Sequence, residues 1–409
     1  MKKYILFSVI LLCASMRCSV LTDNEPEFGG SGLVKNSRVF PAAVLNKIKG
    51  NYVAASNGST FRGRMSVIVA NSRISMFSYE AETYAVFNVN CVDNAVVFEG
   101  RTRDPASQQT GLARLRIEPG DGGTEICADT PPTNPPRFSG VYGPNKESLN
   151  STIILNYDKP LKAISNPYII GHHGCRTVDQ CGASENSLEG IRYAGYLGAN
   201  AVEIDVQLSK DGVPFLYHDD DFNTRLVNSI LCLGDVGNYT ILLIKAFCRL
   251  KYGESIPTLR EALNALIADD TMTLVWLDPK STAAVGSMVA LANEFTVKAQ
   301  QAGKNLEILI GIPDEDYLSA YKASPGYQTT KCLVEYSVSV AQELACRAYG
   351  PRFTLGPKPA DADTMHTNGN LIFYWTVNDT SFFDSYLKYG KADGMISDRT
   401  FLIYSYLQQ

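Results

Sequence analysis

Three of the chain's four histidines lie in two short polar segments, each of which follows an apolar run. His172 and His173 stand in the segment GHHG at residues 171–174, and His218 stands in LYHD at residues 216–219. A single histidine fits a hydrogen-bonded residue of a surface loop, but imidazole is also well suited to proton transfer near neutral pH. Because three of the four occupy equivalent places after apolar runs, the pattern favours proton transfer.

Carboxylates stand at alternate positions of a second kind of apolar run. Glu203 and Asp205 interrupt the segment VEIDV, and Asp278 stands two residues before Lys280 in LDPK. Side chains alternate across a strand, so Glu203 and Asp205 project to one side, where burial would be costly without a cation. Oxygen ligands favour Mg²⁺ or Ca²⁺ over zinc. We therefore predict a metal site of Glu203, Asp205 and Asp278, with Lys280 beside a substrate phosphate.

The part of the chain that must position these residues alternates between apolar strands and helices. Eight such strands over about 240 residues are typical of an α/β fold, the (β/α)₈ TIM barrel, whose active sites lie at the carboxyl ends of the strands. A central barrel strand has no exposed face, which argues against a solvated polar face for the carboxylates. The barrel is predicted over residues 165–405. Its strands are predicted at residues 168–171, 201–206, 214–218, 274–278, 306–311, 332–336, 371–376 and 394–397, with helices at 187–197, 259–268 and 287–302.

A small all-β N-terminal domain is predicted over residues 40–140, before the barrel. Short alternating segments at residues 65–70 and 84–90 indicate an antiparallel meander of six to eight strands, closed as a small barrel or sandwich. The region holds no histidine, so we interpret it as a surface-binding or packing module. A Gly/Pro-rich linker, residues 119–140, ends it, unless residues 141–163 still belong to the β module.

The first twenty residues resemble an export signal. Lys2 and Lys3 precede an apolar run at residues 4–14 that is too short to span a bilayer. We expect a secreted, periplasmic or cell-surface protein. Lipid attachment at Cys18 is a second hypothesis, which Arg17 disfavours because a small residue is wanted there. In either case membrane-surface association is compatible with the sequence.

Cysteine usage indicates the same oxidising compartment. The eight cysteines beyond the signal form four pairs of sequence neighbours. A zinc-thiolate cluster is the alternative, but no pair has the Cys-x-x-Cys spacing. The predicted disulfides are Cys91–Cys127, Cys175–Cys181, Cys232–Cys248 and Cys332–Cys346.

Charge excludes one class of partner. The chain carries 37 basic and 42 acidic residues, for a net charge of −5 at pH 7. No basic block could follow a phosphate backbone, so nucleic acid is not an expected partner.

Taken in order, the motifs over the whole barrel resemble those of glycerophosphodiester phosphodiesterases. The resemblance implies a divalent ion held by Glu203, Asp205 and Asp278. It also implies His172 as general base and His218 as general acid on either side of the scissile phosphate. The matching blocks are GHHG at 171–174, SENS at 184–187, GA at 198–199, E-x-D at 203–205, KDG at 210–212, HD at 218–219, IPTL at 256–259, WTVN at 375–378 and DGMISD at 393–398.

Three positions depart from the family pattern. His173 replaces the arginine that usually follows the first histidine, and Arg176 is a candidate substitute as a substrate-binding residue. Asp278 replaces the usual glutamate, as in the related sphingomyelinase D enzymes. Ser184 replaces a proline, and the loop between Cys175 and Cys181 is longer than usual. These departures concern substrate identity more than reaction type.

The remaining candidate residues are interpreted one by one. Trp375 either packs against a substrate polyol or fills the barrel, and we favour substrate contact. Glu185 and Asn186 either tie the first loop to the barrel or touch substrate. His366 lies in a polar loop and is predicted to be uninvolved.

The leading functional hypothesis is an exported, monomeric hydrolase that splits glycerophosphodiesters into glycerol phosphate and an alcohol. Attack comes either from a neighbouring substrate hydroxyl, giving a cyclic phosphate, or directly from water. A second hypothesis is a phospholipase D-like enzyme acting on sphingomyelin or lysophospholipids. A third is a surface-binding protein with a catalytically retired barrel, against which the complete set of histidines and carboxylates argues.

Overall fold

The computed structural model describes residues 27–164, 167–176 and 181–409. The predicted signal at residues 1–20 and the lipid-anchor hypothesis for Cys18 fall outside these residues. In the described ranges, no helix combines the length and apolar character needed to traverse a lipid bilayer.

The first part of the described chain is a closed antiparallel barrel in which each strand pairs with its sequence neighbours and the first pairs with the last. Short helices α1 (Ala42–Ile48) and α2 (Gly123–Cys127) accompany it. Inward side chains such as Tyr52 and Phe138 are fully buried and pack edge to face. The strands are β1 (Gly50–Ser56), β2 (Gly63–Ala70), β3 (Arg73–Ser78), β4 (Thr83–Val92), β5 (Ala95–Asp104), β6 (Gln109–Ile117), β7 (Phe138–Gly143) and β8 (Ser151–Lys159).

This barrel does not end at residue 140, where the Gly/Pro-rich segment placed its boundary. That segment lies inside it, between β6 and β7. Strand β8 pairs with both β7 and β1 and so closes the barrel. The proline residues therefore mark a long connection within the unit, and the pairing matches the alternative in which residues 141–163 belong to the β module.

A second barrel of eight parallel strands follows. The strands pair in the order β9, β10, β14, β15, β16, β17, β18 and β19, and β19 pairs with β9 to close the ring. The strands of this part are β9 (Tyr168–Gly171), β10 (Ala201–Leu208), β11 (Pro214–Leu216), β12 (Asp221–Phe222), β13 (Gly234–Asp235), β14 (Leu274–Pro279), β15 (Glu307–Ile312), β16 (Cys332–Val334), β17 (Ala348–Tyr349), β18 (Leu371–Tyr374) and β19 (Gly394–Ser397). The helices are α3 (Leu188–Tyr196), α4 (Ile241–Phe247), α5 (Leu259–Ala268), α6 (Val285–Gln301), α7 (Glu315–Ala323), α8 (Val338–Glu343), α9 (Pro359–His366) and α10 (Thr400–Leu407).

Eight parallel strands were predicted, but one of the eight was wrong. The segment at residues 214–218 forms β11, which pairs antiparallel with β10 outside the ring. The loop between them is too short for the crossover that a parallel pair needs, which is a dozen or more residues. The missing barrel strand is β17, a two-residue strand that the sequence analysis did not identify.

The inside of the parallel barrel is apolar along most of its length and polar at the end formed by the carboxyl ends of the strands. Every strand of the ring contributes to one buried cluster: Ile170, Ala201, Leu274, Trp276, Leu309, Leu333, Ala348, Phe373 and Ile396. Side chains two or four residues further along each strand face the same way. Backbone hydrogen bonds from His172, Glu335 and Gly350 to neighbouring strands continue the ladder past the strand ends. The inward positions at this mouth are His172, Glu203, Asp205, Asp278, Gly311, Glu335, Gly350, Trp375 and Asp398.

After β10 the chain leaves the barrel and returns to it at α5. This excursion, residues 214–256, begins with β11 and has an apolar core of its own. Phe215, Phe222 and Ile244 are fully buried there. The disulfide Cys232–Cys248 crosses this core. The other three predicted disulfides, Cys91–Cys127, Cys175–Cys181 and Cys332–Cys346, are also present, so all four pairings are confirmed.

The two barrels share apolar contacts through the last helix. The ring of Phe401 in α10 lies 5.1 Å from that of Tyr84 and 6.1 Å from that of Phe77, and all three side chains are buried. The C-terminal helix thus packs on both barrels.

Candidate active site

Three carboxylates meet at the mouth of the parallel barrel. Glu203 and Asp205 come from β10, and Asp278 lies directly opposite Asp205 in the parallel register of β10 and β14. One oxygen from each of the three lies within 4.8 Å of the others. Glu203 and Asp205 are almost fully buried. The prediction that alternation would bring these acidic side chains together is confirmed as geometry.

Two cationic side chains neutralise part of this negative charge. Lys280 Nζ lies 2.5 Å from Asp278 Oδ2 and 2.8 Å from Asp205 Oδ1. His173 Nδ1 lies 2.5 Å from Asp205 Oδ2. Burial disfavours the charged imidazole, but the contact with Asp205 outweighs it and raises the pKa of His173 to about 10. His173 therefore supplies a positive charge where the family pattern has an arginine.

Burial favours the neutral form of the three carboxylates and so tends to raise their pKa values. Burial first, and then the charge on Asp205, raises the pKa of Glu203 to about 8. Burial likewise raises the pKa of Asp278, although Lys280 opposes it. The pKa of Asp205 falls well below its ordinary value because His173 and Lys280 outweigh its burial. When ionised, the three carboxylates thus carry more negative charge than His173 and Lys280 together neutralise.

The first loop holds His173 and Asp205 in place. Both His173 and Asn186 adopt left-handed backbone conformations, with φ of +54° and +58°. The His173 amide donates to Glu203 Oε2 at 2.9 Å, and the Asn186 side-chain amide donates to Asp205 Oδ2 at 2.6 Å. Asn186, for which a structural and a substrate-binding role were both open, therefore ties the loop to a carboxylate of the site.

His172 is oriented by a carboxylate from the last barrel strand. Its Nδ1 lies 2.7 Å from Asp398 Oδ1. Asp398 Oδ2 in turn accepts from the Asn378 side chain at 2.6 Å and from Arg176 at 3.2 Å. Asp398 therefore fixes the ring through Nδ1 and does not occupy Nε2.

His218 has its own carboxylate partner, carried by the excursion. Its Nδ1 lies 2.7 Å from Asp219 Oδ1. Arg225 and Asn223 bind the same carboxylate, and they lower the pKa of Asp219 to about 2 against the effect of burial. Arg225 also contacts Glu185 at 3.3 Å. Glu185 thus links the first loop to the excursion.

The three imidazoles form one group. The ring centroids of His172 and His173 are 3.7 Å apart, and those of His173 and His218 are 5.0 Å apart. His173 lies between the other two and is buried, whereas His172 and His218 keep 20% and 38% of their side chains exposed. The outer pair is therefore partly open to the barrel mouth, and the central one is covered. His366 is separate and binds Asp393.

The remaining predicted residues lie around this group. Arg176 bonds to Asp398 and is half exposed, so it faces the His172 side of the mouth. Trp375 points inward from the end of β18, donates to the Gly350 carbonyl at 2.6 Å and carries the Arg352 guanidinium 4.7 Å above its ring. Trp375 is thus fixed as a wall on the other side.

Two functional candidates were not singled out from the sequence. Asp398 lies within a motif that was recognised, but no role was assigned to it. Glu335 follows Leu333 by two positions at the end of β16, and alternation from that inward residue would have placed it at the mouth. The sequence alone does not show which side chains contact Asp398 or Glu335, or at what distance.

The carboxylates fit a divalent cation. Their oxygens converge, and Glu203 Oε1 is buried with no hydrogen-bond partner among the described residues. His172, His173 and Glu203 also bring one ligand atom each within 4.8 Å of one another, but Asp398 and Asp205 occupy Nδ1 of the two imidazoles and leave one nitrogen on each ring. The all-oxygen group of Glu203, Asp205 and Asp278 is therefore the better donor set.

Comparison with known proteins agrees with this geometry. A model of the glycerophosphoryl diester phosphodiesterase family matches residues 171–402. A glycerophosphodiester phosphodiesterase of Caldanaerobacter subterraneus is 28% identical over 241 residues, which are 56% of this chain and 93% of that protein. Glycerophosphodiester phosphodiesterase 1 of Mus musculus is 35% identical over 118 residues, 28% of this chain and 35% of that protein.

Solved structures give similar matches. A phosphodiesterase of Oleispira antarctica, in complex with the product sn-glycerol-3-phosphate, aligns with a TM-score of 0.47 and 23% identity, covering 60% of this chain and 98% of that one. The family match spans more than half of this chain and includes every residue of the site from His172 to Asp398. The chain therefore belongs to the glycerophosphoryl diester phosphodiesterase family and is an enzyme of that kind.

Proposed function

We propose that this enzyme is exported and uses a divalent cation, Mg²⁺ or Ca²⁺, to hydrolyse glycerophosphodiesters to glycerol phosphate and an alcohol. His172 acts as general base and His218 as general acid. The observation that carries the proposal is the meeting of Glu203, Asp205 and Asp278 within 4.8 Å beside these imidazoles.

The base role of His172 is supported by its surroundings. Burial, and then the positive charge of neighbouring His173, lowers the pKa of His172, although Asp398 opposes the shift. A lowered pKa keeps the imidazole neutral near pH 7, which is the form that accepts a proton. Asp398 fixes Nδ1, so the proton from the attacking hydroxyl is taken at Nε2.

The acid role falls to His218, which lies across His173 from the base. Its Nδ1 is held by Asp219, so the other ring nitrogen is the one that donates to the leaving oxygen. Because His173 lies between them, His172 and His218 are far enough apart to act on different oxygens of the same phosphate. The proposal thus accounts for two partly exposed histidines and one buried histidine.

The carboxylates, through the cation that they would hold, and Lys280 serve to balance the negative charge of the phosphate. Glu203, Asp205 and Asp278 would hold the cation, which when bound supplies positive charge that offsets charge growing on the non-bridging oxygens. Lys280 contacts two of these carboxylates and keeps them oriented. Its ammonium group also adds positive charge beside the phosphate position.

Export is supported by the disulfides. Four disulfide bonds within the described residues are typical of an oxidising compartment. Together with the charged and apolar segments at residues 2–14, they favour a secreted, periplasmic or cell-surface location.

Product analysis tests the proposed reaction. We expect glycerophosphocholine to yield glycerol phosphate and choline in the presence of Mg²⁺ or Ca²⁺. Choline release from sphingomyelin or lysophosphatidylcholine, with none from glycerophosphocholine, would instead identify the phospholipase D-like activity that Asp278 and the first-loop disulfide suggest. Phosphorus NMR of the products distinguishes a cyclic phosphate intermediate from direct attack by water.

Substitution of Asp398 tests how the base is positioned. We expect Asp398→Asn to lower kcat at least roughly tenfold, because an amide does not fix the Nδ1–H tautomer or stabilise the imidazolium. The Asp398 contact raises the pKa of His172, so its loss should lower that pKa further. The acidic limb of the kcat/KM profile should then move to lower pH.

The chain provides a matched control for this substitution. Asp393 binds His366 at 2.7 Å, which makes a His–Asp pair outside the mouth. Asp393→Asn should leave the pH profile unchanged. An Asp398→Asn profile that keeps its acidic limb in place would show that His172 is not the titrating base.

A further inference from the structure

One carboxylate at the mouth has no part in the reaction described above. Glu335 follows β16, and its amide donates to the Ile312 carbonyl, so the strand geometry continues to it. Leu333, two residues earlier, belongs to the barrel interior. Alternation therefore directs the Glu335 side chain inward, at the level where the substrate must lie.

One of the two carboxylate oxygens of Glu335 has unused acceptor capacity. Its Oε1 atom is buried and has no hydrogen-bond partner among the described residues. A buried carboxylate oxygen without a donor is costly to maintain. Trp276, on the floor of the barrel, has a buried indole N–H that is likewise unpartnered within the described chain. The Trp276 indole lies beside Gly311 and Gly350, so an unsatisfied donor accompanies the unsatisfied acceptor on this side of the barrel.

The charges around Glu335 indicate what kind of donor would suit it. Its charged neighbours include the cations Lys280 and Arg352 as well as the carboxylates Asp278 and Glu203. Arg352 lies over the face of Trp375, so that aromatic face is not open to an ammonium group. A quaternary ammonium group would therefore find no open face on Trp375, whereas a hydroxyl donor needs only the Glu335 acceptor.

We infer that Glu335 binds the vicinal diol of the substrate's glycerol moiety, with Arg352 and Trp375 as the adjoining wall. A carboxylate accepts from hydroxyl protons and a guanidinium donates to hydroxyl oxygens, so the pair suits a group whose hydroxyls both donate and accept. The edge of Trp375 offers apolar surface to the carbon chain. The inference rests on the proposed function and names the part of the substrate that this side of the mouth selects.

The test compares two ligands that differ only in their hydroxyls. Binding of sn-glycerol 3-phosphate and of n-propyl phosphate to the Mg²⁺-loaded enzyme is measured by calorimetry. We expect Glu335→Met to raise the Kd for sn-glycerol 3-phosphate roughly 10- to 100-fold, the range for a buried polar group left without its hydrogen-bond partner. The Kd for n-propyl phosphate should stay the same. Glu335→Gln, which keeps one acceptor, should show a smaller loss in the same direction.

Controls separate this inference from its alternatives. Glu343, exposed at the end of α8 and paired with Lys322, gives a control variant, Glu343→Gln, that should bind both ligands normally. Equal weakening of both ligands in the Glu335 variants would mean that Glu335 acts on the phosphate or the cation and would overturn the inference. Unchanged binding of sn-glycerol 3-phosphate would overturn it too. In both cases the wild-type enzyme would still hydrolyse glycerophosphocholine, whereas failure of the proposed function would abolish that turnover.

Discussion

Replacing His172 or His218 with alanine is expected to lower kcat for glycerophosphocholine by roughly 10²- to 10⁴-fold, the usual contribution of a positioned acid or base. Both side chains keep exposed surface at the mouth, and each is held by a carboxylate. The measurement is steady-state hydrolysis with Mg²⁺ present. His366→Ala is the matched control, because that histidine binds Asp393 away from the mouth, and its kcat should stay near that of the wild type.

The leaving group distinguishes the two roles. A nitrophenyl ester leaves without protonation, so His218→Ala should lose much less activity on a nitrophenyl phosphodiester than on glycerophosphocholine. His172→Ala should lose a similar factor on both, since the base acts on the attacking group. The opposite pattern would exchange the assignments, and normal turnover by both variants would mean that neither imidazole takes part in proton transfer.

Removing the divalent cation is expected to abolish hydrolysis, and Mg²⁺ or Ca²⁺ should restore it. Without the cation, three carboxylates share only the charges of His173 and Lys280. A second readout does not depend on turnover: a ligand of the folded state at about 100 times its Kd adds roughly 2.7 kcal/mol of stability, so adding Mg²⁺ should raise the melting temperature.

Variants of the ligands sharpen this test. Asp278→Asn removes one charge from the donor group and should reduce both the activity and the Mg²⁺-dependent rise in melting temperature. Asp270→Asn is the control, because Asp270 is exposed near the amino end of β14. Full activity in the presence of excess chelator would contradict the metal proposal, and a normal Mg²⁺ response in Asp278→Asn would remove Asp278 from the ligand set.

The sequence predicted most of the parallel barrel, and its two errors have physical causes. Periodicity located the segment at residues 214–218 as extended, but it carries no information on which neighbour a strand pairs with or in which direction. The brevity of the loop before Pro214 would have indicated a hairpin. Strand β17 has two residues, fewer than any periodic pattern can reveal.

The site was predicted to a similar degree. Alternation within β10 was sufficient to bring Glu203 and Asp205 together, because a strand fixes which side its residues face. The partnership of His172 with Asp398 spans 226 positions of the chain, and only closure of the barrel by β19 and β9 creates it. The buried position of His173 depends on a left-handed backbone conformation that its residue type does not demand.

The excursion at residues 214–256 makes the two halves of the catalytic apparatus separable. The residue proposed to protonate the departing alcohol stands on a miniature unit with its own interior and cross-link, whereas the opposing imidazole and the acidic trio belong to the main ring. Substitutions in the interior of this miniature unit can therefore change the space around the alcohol while the apolar interior of the parallel barrel stays the same.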